Sequence, residues 1–336
     1  MKRLALVLLT PLGWLVLIGA AQAQTGQGPG WPAQTDLFND ARFLAGAAPF
    51  LIGLGILIGL FQARAAARGG GDALLGEQVR RHDTATLLAH WFNAIGLLAG
   101  LVTGAMILRW TPPVLELRLI FIIHYVGAAF MLFAVFNHLA RHGVSGGTGL
   151  IPKRLSVIRD LVGELLEYTG LFGPEGAALR LPIPKAIRQP IAGYVKALLG
   201  YKPHQHGKYL ATEQILSYPP WAVLTTIMVV TGLIKLMKYI YPLPGALVAL
   251  ATSIHDLAAV AVGLMLVIHL LPLLLVPANW PLLLSMFRST VSRKYVEARH
   301  PLWYKQLMSR QARREPAPEA SPEPAAAPAA KAPTGD

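Results

Sequence analysis

The sequence predicts an all-α integral membrane protein with five spanning helices, and three observations carry that prediction. Of 336 residues, 54% are hydrophobic and only 14% are charged, against roughly 25% charged in an average soluble domain, and the mean hydropathy is +0.48. Five stretches are apolar over about the 20 residues that a helix needs to cross a bilayer. The basic residues fall unevenly among the segments that connect those stretches.

The spans lie at about 44–62, 86–108, 119–139, 217–239 and 253–277. Ahead of them, "MKRLALVLLTPLGWLVLIGAAQAQ" has a basic start, an apolar middle and small residues at Ala21 and Ala23. It reads as a signal peptide over 1–23, followed by a periplasmic segment over 24–43. Five spans then bring the C-terminus to the cytoplasm. Loop charge agrees with this orientation. Residues 63–85, 140–216 and 278–336 hold 4, 10 and 9 Lys and Arg, together 23, whereas 24–43, 109–118 and 235–252 hold 1, 2 and 2, together 5. The net charge of +13 therefore reflects membrane orientation rather than nucleic-acid binding.

Within the long 140–216 segment, "LSVIRDLVGELLEYTGLF" (155–172) puts Leu155, Ile158, Leu161, Val162, Leu165 and Leu166 on one helical face. This is a helix lying on the membrane surface or docked on protein. Residues 174–206, rich in Pro and Gly, predict irregular connection. The Pro/Ala tail over 315–336 predicts disorder.

No cysteine is present. That excludes disulfides, thiolate metal sites, iron–sulfur clusters held by this chain and covalently attached haem. Ten histidines are present. His82, His142, His204, His206, His300 and, at a span end, His138 are expected to be solvated. His90, His124, His255 and His269 lie inside spans, where ionisable side chains are costly and mark function.

Depth sorts these four. His255 and His269 are 14 residues apart on one span, about 21 Å and roughly 40° short of four full turns. They point to nearly one face at two levels. On the predicted orientation His124 shares the outer level with His255, and His90 shares the inner level with His269. Two imidazoles meeting at one depth from two helices are what a bis-histidine b-type haem requires. Two such pairs predict two stacked haems. His138, also 14 residues from His124, is the competing inner ligand; its place beside Arg141 and His142 at a span end favours His90. Gly96, Gly100 and Gly104 recur every fourth residue. They fit close helix packing, room for a flat macrocycle, or both. Arg109, Arg118, Lys235 and Lys238 at the outer boundary fit propionate neutralisation or snorkelling. Asp256 either orients a neighbouring group or faces the outer water.

These residues carry a resemblance. "AHWFN" at His90, "IFIIHYVG" at His124, "IHDLAAVAVGLMLVIH" at His255 and His269, "GKYLATEQ" (207–214) and "HPLWY" (300–304) resemble the gamma, cytochrome b subunit of membrane-bound formate dehydrogenases over 80–307. The related cytochrome b subunits of nickel–iron hydrogenases share the four-helix plan. The resemblance implies a four-helix core, with the first span as an addition. It implies two haem b groups in that core, with His124 and His255 binding the outer and His90 and His269 the inner. It implies a quinone acceptor near Lys208, Tyr209, Gln214 and His269 at the cytoplasmic side. It also implies an iron–sulfur beta subunit and a molybdenum or tungsten alpha subunit on the periplasmic side. Leu210 and Thr212 depart from the family pattern at the quinone side. A transporter moving protons or metal ions would show mid-span carboxylates and interrupted helices; here the only such acid is Asp256, near a span end. A haem-free membrane anchor would leave the four depth-matched histidines unexplained.

Overall fold

A computed structural model describes residues 32–67, 72–145, 149–152, 154–168, 185–199 and 205–313. The signal peptide, residues 24–31, His204 and the Pro/Ala tail lie outside these. Five helices are long and apolar enough to cross a membrane: α1 (Pro32–Ala67), α2 (Thr84–Ile107), α3 (Leu117–Val144), α6 (Tyr218–Met237) and α7 (Gly245–Leu275). The chain is thus a multi-pass helical membrane protein. α1 starts well before residue 44, because "TDLFNDARF" continues its helical pattern ahead of the apolar run. At this polar entrance Asp36 and Asp40 pair with Arg118, which leads into α3.

Small residues set how α1, α2 and α3 pack. Gly55, Gly59 and Ala63 repeat every fourth position on α1, the spacing that lets helix backbones approach in lipid. A Cβ at Gly55 would stand 2.6 Å from the Phe133 carbonyl oxygen of α3. On the other side of α3, a Cβ at Gly96 would stand 2.5 Å from the Gly127 carbonyl oxygen. At one end, Asp83 caps α2 by accepting from the Thr86 N–H at 2.8 Å and also pairs with Arg141 of α3.

The same end carries a cap. β1 (Ala73–Leu75) and β2 (Gln78–Arg80) form a hairpin across Gly76 and Glu77, and β3 (Thr290–Ser292) joins antiparallel with Val79 opposite Val291. Gly76 adopts φ +62°, which a two-residue hairpin turn favours and glycine adopts without strain. Val79, Val291, Val296, Trp303 and Leu307 form the cap's apolar core. The last two come from α10 (Pro301–Ala312), which follows α8 (Trp280–Arg288) and α9 (Arg293–Arg299).

The start of "GKYLATEQ", with His206 before it, interlocks with "HPLWY" in this cap. His300 Nδ1 donates to the Gly207 carbonyl at 2.6 Å, and the Leu302 N–H donates to the His206 carbonyl at 3.2 Å. Lys208 Nζ and Trp303 Nε1 share Asp72, at 2.5 and 3.1 Å. His206 and His300 were expected to be solvated, yet both are buried. Their backbone neighbours are hydrogen-bonded across the cap, which carries the rings inside.

α4 (Ser156–Tyr168) reverses an ordinary amphipathic helix. Leu155, just before it, and Ile158, Val162 and Leu165 are exposed, whereas Glu164 and Glu167 are buried. Glu164 accepts from Tyr168 and Thr212 hydroxyls at 2.5 and 2.6 Å. Glu167 accepts from Arg299 at 2.8 Å and faces His206 at 3.1 Å. The polar face docks on protein and leaves the apolar face outward, as a membrane-surface helix requires. Residues 185–199, expected to be irregular, form α5. Ile187, Ile191, Tyr194 and Leu198 recur at helical spacing there, and that period outweighs the hydrogen bond lost at Pro190.

Two predictions follow from this packing. Gly96→Leu should cost roughly 1–3 kcal/mol and lower the melting temperature of the detergent-solubilised protein by several degrees. Acid should loosen the cap. Burial, aided by the positive charge of Arg81, pushes the His300 pKa from 6.5 down to about 3, so the folded state keeps this ring neutral while the unfolded chain protonates it near 6.5. Stability should therefore fall progressively as pH drops below about 6.5. Burial opposes ionisation of Glu167, but contacts to His206 and Arg299 outweigh it and hold the carboxyl below its ordinary range. That adds a further loss at lower pH. Melting curves at pH 7.5 and 5.5 should show the drop, and His300→Gln should shrink it.

Candidate haem sites

The four histidines of the spans fall at two levels. His90 lies in the second turn of α2 and His269 in the last two turns of α7, both toward the cap. His124 lies in the second turn of α3 and His255 in the third turn of α7, both toward the opposite end. Each level thus draws one histidine from α7 and one from the first hairpin, His90 of α2 with His269 and His124 of α3 with His255.

The level away from the cap is built twice over from one device. His124 Nδ1 lies 2.9 Å from Thr103 Oγ1, and His255 Nδ1 lies 2.9 Å from Thr231 Oγ1. Each threonine hydroxyl also donates to the carbonyl one turn back, Thr103 to Ala99 at 2.5 Å and Thr231 to Ile227 at 2.6 Å. A hydroxyl has one proton. Having given it to the carbonyl, each threonine accepts from Nδ1–H, which leaves each Nε2 with a free lone pair.

The level near the cap is held differently. Trp91 Nε1 donates to the Met286 carbonyl of α8 at 2.8 Å, and its ring packs on Phe287 at 4.7 Å. This fixes the start of α2, with His90 against the edge of Trp91. His269 Nδ1 lies 3.3 Å from Ser217 Oγ. Ser217 closes a π-helical turn over Glu213–Ser217, where Pro219 and Pro220 supply no N–H donors to the preceding turn. His138 faces elsewhere: its Nε2 lies 3.0 Å from Tyr218 Oη, and its ring packs at a tilt against His142.

Leu97, Met131 and Val262 close the space between the two levels, and Val262 lies midway between His255 and His269. Beside the histidines there is room. A Cβ at Gly100 would meet nothing within 4 Å, one at Gly104 would lie 3.9 Å from His124 Cε1, and one at Gly232 would lie 3.4 Å from His255 Cε1. The glycine stripe of α2 thus divides its work, with Gly96 at the helix contact, Gly100 bordering open space and Gly104 against the His124 ring. Histidines at matched levels, two of them with Nδ1 occupied by a threonine and next to glycines, suit a flat macrocycle with an axial nitrogen on each side. Among the described residues no group of three or more His, Cys, Asp or Glu gathers as a metal-ion site.

The remaining predicted residues are placed as follows. Lys208 is paired with Asp72 in the cap. Tyr209 lies against Gly149, and Gln214 donates to the Tyr209 carbonyl at 3.1 Å. Leu210 is buried, and its N–H donates to Glu213 at 2.7 Å. The boundary cations separate: Arg118 pairs with Asp36 and Asp40, and Lys238 lies over the Tyr239 ring. Lys235 Nζ lies 3.5 Å from Asp256, which gives that acid a partner on α6. Arg109 holds φ +60° at the end of α2. Thr103, Thr231 and Ser217 were not singled out from sequence, although the repeated "VTG" at 102–104 and 230–232 was a visible signal.

A comparison with curated proteins finds no match. The model of the prokaryotic cytochrome b561 family matches residues 81–289, more than half of the chain and all four histidines. The chain belongs to the prokaryotic cytochrome b561 family, whose members are haem b membrane proteins.

Proposed function

We propose that this chain is the dihaem b subunit of a respiratory formate dehydrogenase, anchoring the complex and carrying electrons from a periplasmic iron–sulfur subunit to quinone at the cytoplasmic side. The observation that supports the reading is the place of four span histidines at two levels of the bundle, His90 and His269 toward the cap and His124 and His255 toward the opposite end. His124 and His255 would hold one haem, and His90 and His269 the other. Haem supplies a one-electron couple when bound. The chain supplies the ligands, keeps water away from them with spanning helices, and separates the two levels with Leu97, Met131 and Val262.

The loop charges support placing the capped end in the cytoplasm, 23 Lys and Arg against 5. On that orientation, Lys208, Tyr209, Gln214 and His269 belong to the quinone side. The contact of Gly207 and Lys208 of "GKYLATEQ" with "HPLWY" supports the formate reading, because these are two of the motifs that carry that resemblance. The family match ends at residue 289, short of "HPLWY", and equally favours a second reading: the cytochrome b subunit of a nickel–iron hydrogenase or another periplasmic oxidoreductase. In either case the substrate chemistry belongs to a partner subunit.

The purified protein should show two haem b per chain by pyridine haemochrome assay, with sharp bands on reduction. A haem-free protein would end the proposal. His269→Ala and His90→Ala should each remove one haem, and His124→Ala and His255→Ala the other. Loss on His138→Ala with retention on His90→Ala would reassign the inner ligand. Gly100→Leu should lower haem content without the melting loss expected of Gly96→Leu. In native membranes, haem reduction by formate rather than by hydrogen would select the first reading over the second.

A further inference from the structure

The two hairpins, α2–α3 and α6–α7, present the same local device at the level away from the cap. In each, Val-Thr-Gly lies on the helix running away from the cap, at 102–104 and 230–232, and the histidine lies on the helix running back. In each, Thr Oγ1 stands 2.9 Å from the histidine Nδ1 and is tied to its own helix one turn back. In each, the glycine after the threonine faces the imidazole Cε1. Thr103 and Thr231 are both buried. A helix threonine needs no imidazole to satisfy its hydroxyl proton. Thr226 makes the same bond back to Ala222 at 2.7 Å on an exposed face. The recurrence at two histidines on different helices is therefore not explained by helix chemistry alone.

We propose that Thr103 and Thr231 are positioning residues for a haem between His124 and His255. Each holds its histidine as the Nδ1–H tautomer, aims Nε2 at the iron, and strengthens the ring as a donor by accepting its proton. This rests on the ligand assignment proposed above. A ligating imidazole that donates its second N–H to an oriented acceptor is a more basic ligand, and a more basic ligand favours the ferric state. The two threonines therefore lower the midpoint potential of that haem, one from each side. His269 Nδ1 lies 3.3 Å from Ser217 Oγ with its ring edge-on to Trp221, and His90 lies against the edge of Trp91, so the level near the cap does not repeat the device.

The test is a spectroscopic redox titration of the full-length, haem-loaded protein in detergent. Thr103→Val and Thr231→Val keep the shape and remove the hydroxyl acceptor, leaving only the Gly100 and Met228 backbone carbonyls beside the two rings. Each should raise the midpoint potential of one haem and leave the other unchanged, and the double variant should raise it further. Thr103→Ser and Thr231→Ser should return the potential to that of the wild type, and Thr226→Val should change nothing. Loss of that haem in a Val variant with retention in the Ser variant also supports positioning. Unchanged potentials in both Val variants with both haems retained would overturn the inference, as would equal haem loss in the Val and Ser variants. If His124→Ala and His255→Ala leave both haems bound, the ligand assignment itself fails and takes this inference with it.

Discussion

An imidazole inside hydrocarbon has two nitrogens to satisfy and no water to satisfy them. This constraint runs through the whole bundle. At His124 and His255 it is met on one nitrogen by a threonine of the adjacent antiparallel helix. That contact in turn fixes the rotation of α2 against α3 and of α6 against α7. At His269 the partner is Ser217, delivered by a π-helical turn that two prolines keep from winding as α-helix. Glycines border two of these rings, Gly104 at His124 and Gly232 at His255. The helix pairs thus combine close backbone packing at Gly96 and Gly127 with hydroxyl partners for their histidines.

The capped end obeys the same rule with stronger groups. Glu164, Glu167, Arg299, His206 and His300 are buried there, and buried charges persist only where they are paired and hydrogen-bonded. Glu167 meets both Arg299 and His206, which joins α4 to the segment before α6 and to the end of α9. That network turns the polar face of α4 inward and so leaves Leu155, Ile158, Val162 and Leu165 facing outward. Asp72 has a comparable role, collecting Lys208 and Trp303 from two distant segments.

Much of the architecture was legible because bilayer thickness gives spanning helices a length that composition reveals. The histidine levels were legible too, because 14 residues on a continuous helix translate directly into depth. The rotation of each ring was not. It depends on Thr103 and Thr231, whose hydroxyls look the same in sequence as that of Thr226 on an exposed face. The glycines show the same limit. Gly96 and Gly100 share one stripe, yet one touches the backbone of α3 and the other borders open space.

Sequence by itself determined the membrane class, the five spans and the four histidines at two depths, because apolar length and helical rise are local properties. Only the tertiary structure decided that His206 and His300 are interior, that Asp256 is paired with Lys235, that α4 docks by its acids and that residues 185–199 are helical. The first three depend on groups far apart in the chain, whose burial is acceptable only once their partners have been brought to them. The helix at 185–199 depends on a local balance, in which the apolar period outweighs Pro190.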